Sequence, residues 1–199
     1  MNVSIKERRK QAIVAMVDRA RHCLNGGINI ASIELAKDEL MKLCEQRELF
    51  PREDFPVPSD GRYELFFHVY EDLVQEYSLY VYSALPGQSY RPHNHGNSWA
   101  IVAAIEGMEI HSLYRQTGYS STPEWVSDIS VKPGTAVSLL PGGIHAIQSA
   151  GDCPLLHLHF YGKSFEIQGE RTEFDVKTGQ AYHLTLDEND LSYIIDIRH

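Results

Sequence analysis

From Arg62 onward the chain is cut into short segments dense in β-branched and aromatic residues: YELFFHVY, YSLYVYSAL, WAIVAAIEG, MEIHSLYRQ, WVSDISV, TAVSLL, IHAIQSA and LLHLHFYG. Turn signals separate them, among them Pro86-Gly87, Pro133-Gly134 and Pro141-Gly142-Gly143. Segments of this length suit strands, and no helical period lies between them, so a βαβ sheet is a poor fit. The pattern predicts an antiparallel sandwich or barrel. YHLTL and LSYIIDI, in the tail after Glu173, read as two late strands.

The first 60 residues have a different texture. Ser4-Ile5-Lys6-Glu7 fits a helix N-cap with a capping box. Ala12, Ile13, Met16, Val17 and Ala20 then recur at helical spacing, and Asn25-Gly26-Gly27 stops the run. A second helix carries Ile33, Leu35, Ala36, Leu40 and Leu43, and Pro51, Pro56 and Pro58 end the helical part. The expectation is mainly β: residues 1–60 as a helical arm packed on a barrel of residues 61–199, in one domain. A chain of 199 residues is long enough to bury such a core.

Charge and cysteine usage narrow the function classes. The net charge is −9 with no basic stripe, which argues against a nucleic-acid partner. No apolar run is long enough to cross a bilayer, and the N-terminus lacks a clean apolar signal core. Cys23, Cys44 and Cys153 are scattered and odd in number, which suits a reducing compartment rather than a disulfide framework. These features together predict a cytoplasmic protein.

The chemistry is concentrated in YRPHNHGNSWAIVAAIEG. In a strand, residues two apart share a face, so His93 and His95 can point together into a barrel interior. Two surface imidazoles on a loop are the plain alternative. A third histidine in a matching context weighs against it: His145 follows Pro141-Gly142-Gly143, a sharp turn that would start a strand. Three neutral imidazoles form a facial metal site whose other face stays open to water, substrate or dioxygen.

Gly87-x5-His93-x-His95 followed by Gly107 resembles the first cupin motif, and Gly134, Pro141, Gly142 and His145 resemble the second. In most cupins a glutamate follows the histidine pair as a fourth ligand; Trp99 and Ala100 stand there here. With that carboxylate missing, the chain resembles the type I cysteine dioxygenases and the 3-mercaptopropionate dioxygenases, the thiol dioxygenases of the cupin superfamily. The resemblance implies a single jelly-roll-like cupin barrel with one Fe(2+) on His93, His95 and His145. It also implies a small thiol and O2 as partners, and sulfinate as product. His157-Leu158-His159-Phe160-Tyr161 matches the family's Ser-x-His-x-Tyr strand except that His157 replaces the serine. Tyr161 would then touch substrate or iron-bound oxygen, and His159 would fix its hydroxyl. The position of the family's thioether cysteine falls on Ala100, so Tyr161 is expected to be unmodified.

The family's carboxylate-binding arginine of cysteine dioxygenases falls on Glu64, with Arg62 two residues earlier on the same expected face. The 3-mercaptopropionate enzymes use an arginine several residues after the tyrosine, and Arg171 lies in that region. A thiol carboxylate anchored by Arg171 is the expectation, with a cationic thiol on Glu64 as its alternative. His68, in LFFHVY, sits in a strand that supplies substrate contacts in the family. His111, alternating with Glu109, reads as a satisfied polar residue. Two other functional readings accompany this one: a cupin using another metal as a Lewis acid for isomerisation, lysis or hydrolysis, and a non-catalytic ligand-binding cupin.

Overall fold

A computed structural model describes residues 3–117, 122–184 and 191–198. Helix α1 spans Ile5–Leu24 and α2 spans Ile30–Cys44. The Ser4 side chain accepts a hydrogen bond from the Glu7 backbone N–H at 3.2 Å. The Glu7 carboxylate does not complete a capping box; it accepts instead from Gln11. The reciprocal box sits at α2, between Asn29 and Ser32. Ile13, Met16, Val17 and Ala20 are buried on one face of α1, and Ile33, Ala36, Leu40 and Leu43 on one face of α2. Leu35 is the exception. Its spacing fits that apolar stripe, but it is 54% exposed, because α2 buries only a narrow face against the sheet.

The twelve strands of the described residues are β1 (Glu64–Glu71), β2 (Ser78–Ala84), β3 (Ser89–His93), β4 (Ala100–Glu106), β5 (Glu109–Arg115), β6 (Glu124–Val131), β7 (Ala136–Leu139), β8 (Ile144–Ser149), β9 (Leu155–Tyr161), β10 (Arg171–Asp175), β11 (Gln180–Leu184) and β12 (Ile194–Asp196). Of YHLTL, Thr185 and Leu186 lie outside the described residues. The strands form two six-stranded sheets, in the orders β12-β1-β2-β9-β4-β7 and β11-β10-β3-β8-β5-β6. The pairings β2 with β9, β3 with β8, β4 with β7 and β5 with β6 are nested around one another and alternate between the sheets. This is one long hairpin wound into a jelly roll, in which each turn of the chain switches sheets. The result is a mainly β, cupin-type fold built as two facing sheets rather than a cylinder closed by hydrogen bonds.

The central strands of the first sheet, β2, β9 and β4, are buried on both faces. The sheet's outer face meets the helices through Leu79, Val81, Ile101, Ala103, Leu158 and Phe160, in the cluster that also holds the α1 and α2 residues. Strands covered on both sides lose the polar alternation of a half-exposed sheet, and β2 and β9 are buried along their whole length. Arg9 fixes the helical layer from within. Its guanidinium donates to the Leu49 carbonyl at 3.0 Å and to Asp54 at 2.7 Å, and lies over the Phe55 ring.

Candidate metal centre and its cavity

The winding brings the two distant histidine motifs into register. On β3 and β8, His93 and His145 are directly opposed. His95 lies beyond the end of β3, so strand pleating alone does not align the pair. A turn built by Asn94 does. The Asn94 side-chain oxygen accepts from the backbone N–H groups of Gly96 and Thr172, at 3.1 and 2.9 Å. Gly96 takes φ +57°, and a Cβ there would stand 2.4 Å from the Gln168 carbonyl oxygen. Only glycine fits both the left-handed backbone and that approach.

His93, His95 and His145 each offer a ring nitrogen, and the three nitrogens lie within 4.8 Å of one another. His93 Nδ1 donates to the Arg91 carbonyl at 2.8 Å, which leaves its Nε2 as the lone-pair donor. His95 Nε2 and His145 Nε2 are 3.1 Å apart. Burial, then the Arg171 charge, pulls His93 down to about 3. Burial also holds His95 and His145 well below the usual histidine range. Three neutral imidazoles with converging nitrogens are a donor set that fits a divalent transition metal. Among the described residues no carboxylate joins the group. Trp99, in the segment where cupins commonly carry a glutamate, turns to the helical side and packs on Phe160 and Tyr77. Gly162 makes room for its indole, since a Cβ there would lie 2.5 Å from Trp99 Nε1.

A cavity of about 310 Å³ opens onto the triad. Tyr161 and His159 line it, with Phe66, Phe165, Leu191 and Ile194 as apolar wall. His159 Nδ1 and the Tyr161 hydroxyl are hydrogen-bonded at 2.9 Å. Burial pushes the Tyr161 phenol up, keeping it protonated, and pulls His159 down to about 3. His157, 0% exposed, lies on the same inner face of β9 and therefore is not on a polar outer surface. Ala100 opposes Tyr161 directly across β4 and β9. Cys153 is exposed and Cys44 buried in the helical cluster.

Other sequence-predicted residues divide. Arg171 lines the cavity, with its Nη2 3.3 Å from His95 Nδ1 and its Nε 3.4 Å from the Asn94 carbonyl. Glu64 also lines it, but one of its carboxylate oxygens already accepts from the hydroxyls of Tyr82 (3.0 Å) and Tyr90. Burial raises Glu64 above the ordinary carboxylate range despite these two donors. Arg62 precedes β1 and is exposed, so the expected alternation with Glu64 does not begin that early. His68 is buried and stacks on the Tyr80 ring at 4.4 Å, apart from the cavity lining.

Sequence reasoning missed the polar group behind the triad. His111 is 0% exposed, and its Nδ1 lies 2.9 Å from His145 Nδ1. Its Nε2 is 3.3 Å from Glu109 Oε2. His157 Nδ1 approaches the same oxygen from the other sheet at 3.0 Å, obliquely enough that the contact is electrostatic rather than a directed hydrogen bond. Burial alone would raise Glu109, but His157 and His111 more than offset it and hold the carboxylate below its ordinary range. The alternation Glu109-x-His111 was a visible signal, but the sequence did not say which face was inward.

No family model matches the chain, and no curated protein matches it. Solved structures resemble it over part of its length. One is an uncharacterized conserved protein with a double-stranded β-helix domain from Klebsiella pneumoniae, at 19% identity over 59% of this chain and 85% of that one, TM-score 0.41. Another is an oxalate oxidase in complex with the substrate analogue glycolate, at 14% identity over 58% of this chain and 59% of that one, TM-score 0.44. The cupin domain of Schizosaccharomyces pombe Cnp3 is 8% identical over 55% of this chain and 72% of that one, TM-score 0.43. Likeness at this level says nothing about chemistry, which rests on the side chains of the cavity.

Proposed function

We propose that the protein is a non-haem iron thiol dioxygenase that converts a small thiol carboxylate, such as 3-mercaptopropionate or cysteine, to its sulfinate with O2. One observation carries this reading: a three-imidazole group without a carboxylate ligand shares a small cavity with the hydrogen-bonded His159–Tyr161 pair. His93, His95 and His145 would hold one Fe(2+). The ion would supply a site where thiolate and dioxygen bind side by side and where the redox chemistry takes place. The net reaction is RSH + O2 → RSO2H; the thiol supplies all the electrons, so no external reductant is consumed. A cytoplasmic setting belongs to this reading, as do small-molecule partners only.

The chain's own side chains then have distinct tasks. With its Nε2 committed to a metal, His95 carries its proton on Nδ1, which no longer accepts from Arg171. The Arg171 guanidinium then meets a substrate carboxylate better than it meets that imidazole. Tyr161, kept protonated by burial, can donate its hydroxyl toward the reacting group while His159 fixes its direction. The apolar wall around Phe66 and Ile194 limits water beside the reacting sulfur. One oxygen of Glu64 already accepts from the Tyr82 and Tyr90 hydroxyls, which leaves it less available to a cationic thiol. The test is oxygen uptake by iron-loaded protein over 3-mercaptopropionate, cysteine and cysteamine, with product mass measured. Sulfinate should appear with one O2 consumed per thiol. Replacing His93, His95 or His145 with Ala should weaken iron binding roughly 100-fold or more and abolish uptake. Turnover of a non-thiol substrate without O2 would overturn the assignment.

A further inference from the structure

We infer that Glu109 and His111 form a positioning relay that sets the tautomer of His145 and supplies the negative charge the metal ligands themselves lack. The inference rests on the metal-centre part of the reading above, not on the identity of the thiol.

The argument follows the protons. A neutral imidazole carries one N–H and one lone pair. His111 Nε2 faces the Glu109 carboxylate. A lone pair there would face an oxygen lone pair in a buried site, so the proton must be on His111 Nε2. His111 Nδ1 is then an acceptor. Its neighbour at 2.9 Å, His145 Nδ1, must therefore be the N–H. That leaves His145 Nε2, which faces His95 Nε2, with its lone pair turned into the triad. Each choice forces the next, and the carboxylate starts the sequence. In the alternative order His111 donates to His145, the proton of His145 points into the triad, and His145 is lost as a ligand.

Sheet geometry makes the relay rigid. Glu109 and His111 share one face of β5, and His111 is a diagonal neighbour of His145 on β8, where Leu113 is its direct partner. Glu109 is 1% exposed, and a buried carboxylate is retained at low cost only with cationic or N–H partners. His157 reaches it from the opposite sheet, so the relay also ties the two sheets behind the triad. Polarised through His111, the carboxylate makes His145 a stronger donor, as outer carboxylates do for metal-bound histidines generally.

Two measurements test it without thiol turnover. In the metal-free wild type with 15N-labelled histidine, where no metal fixes the tautomer of His145, NMR should find His111 protonated at Nε2 only and His145 protonated at Nδ1. A proton on His111 Nδ1, alone or in addition, overturns the relay. Second, Co(2+) affinity is read by chelator competition, with its visible absorption as a signature of the ligand field. Glu109→Gln, which removes the charge, and His111→Phe, which removes the acceptor, should each weaken Co(2+) roughly 10- to 100-fold and shift the bands. His111→Gln, whose side-chain carbonyl can accept from His145, should recover part of the loss. Folded variants with wild-type affinity and spectrum would reduce Glu109 and His111 to core packing. If either variant fails to fold, the wild-type NMR decides. A relay that passes in a protein that oxidises no thiol would refute the proposed substrate and leave the relay standing.

Discussion

At the residue scale the cavity sets a three-imidazole group beside a hydrogen-bonded phenol. Tyr161 is buried, protonated and bonded to His159, and the residue opposite it on the next strand is Ala100, which has no sulfur to offer. A Cys–Tyr thioether is therefore not expected. Intact mass should equal the sequence mass, and a species two hydrogens lighter that maps to Tyr161 would contradict this. Tyr161→Phe should slow turnover about 100-fold while iron content is unchanged, read by steady-state kinetics beside metal analysis. Arg171 calls for a different comparison, because it also neighbours His95. Arg171→Ala should raise KM for 3-mercaptopropionate roughly 10- to 100-fold, the weight of a charge-assisted contact, and leave cysteamine nearly unaffected. An unchanged KM for the acid, with iron loading verified, would remove Arg171 as the anchor.

At the element scale the turn after β3 matters more than the strand. The pleat of β3 ends at His93, and the Asn94–Gly96 turn carries His95 round to meet it. Gly96→Ala meets two obstacles, a left-handed φ and a backbone oxygen at 2.4 Å from the new Cβ. The expected cost is about 2 kcal/mol or more. Urea denaturation should show it as a lower midpoint, with weakened metal binding because His95 is displaced. A wild-type midpoint would mean that the turn can move away from Gln168. Gln168, whose carbonyl Gly96 approaches, is itself buried. Its side-chain amide donates to the Lys163 carbonyl at 3.0 Å, which fixes the segment that Gly96 must approach.

At the scale of the whole molecule, folding holds several imidazoles neutral at once. His93 and His159 are each pulled to about 3 from an ordinary value of 6.5, and His95 and His145 are also held well down. Unfolding restores the ordinary value. Between pH 6.5 and about 3 the unfolded chain therefore binds protons that the folded chain refuses. Stability of the metal-free protein should be fully present above that window and fall as pH drops through it. The slope is at most about 1.4 kcal/mol per pH unit for each histidine. Glu109, held low, acts in the same direction at lower pH, and Glu64, held high, acts against it. Urea midpoints at pH 7.5, 6 and 5 with a chelator present should decline in that order; equal midpoints would show that these imidazoles are accessible to protons in the folded state.

How much of this was legible in the sequence follows from the range of each interaction. Local pattern determined the two helices, the strand texture after Arg62 and the sharp turn before His145, because caps, periodicity and Pro-Gly turns act within a few residues. Motif spacing also singled out His93, His95 and His145, and the resemblance to the thiol dioxygenases pointed to His159 and Tyr161, since the residue types and their pattern are written in the chain. What pattern could not supply was the far side of each contact. Arg62 and Glu64 looked equivalent by alternation, yet only Glu64 enters a strand. His111 looked like any polar residue beside a glutamate, until the pairing of β5 with β8 set it against His145. Leu35 matched the helical stripe but faces solvent. Side-chain type and spacing are properties of the local chain, but the proton order from Glu109 to His145 exists only where strands distant in sequence are brought together and water is excluded. The wound hairpin, through its cross-strand register, made that decision.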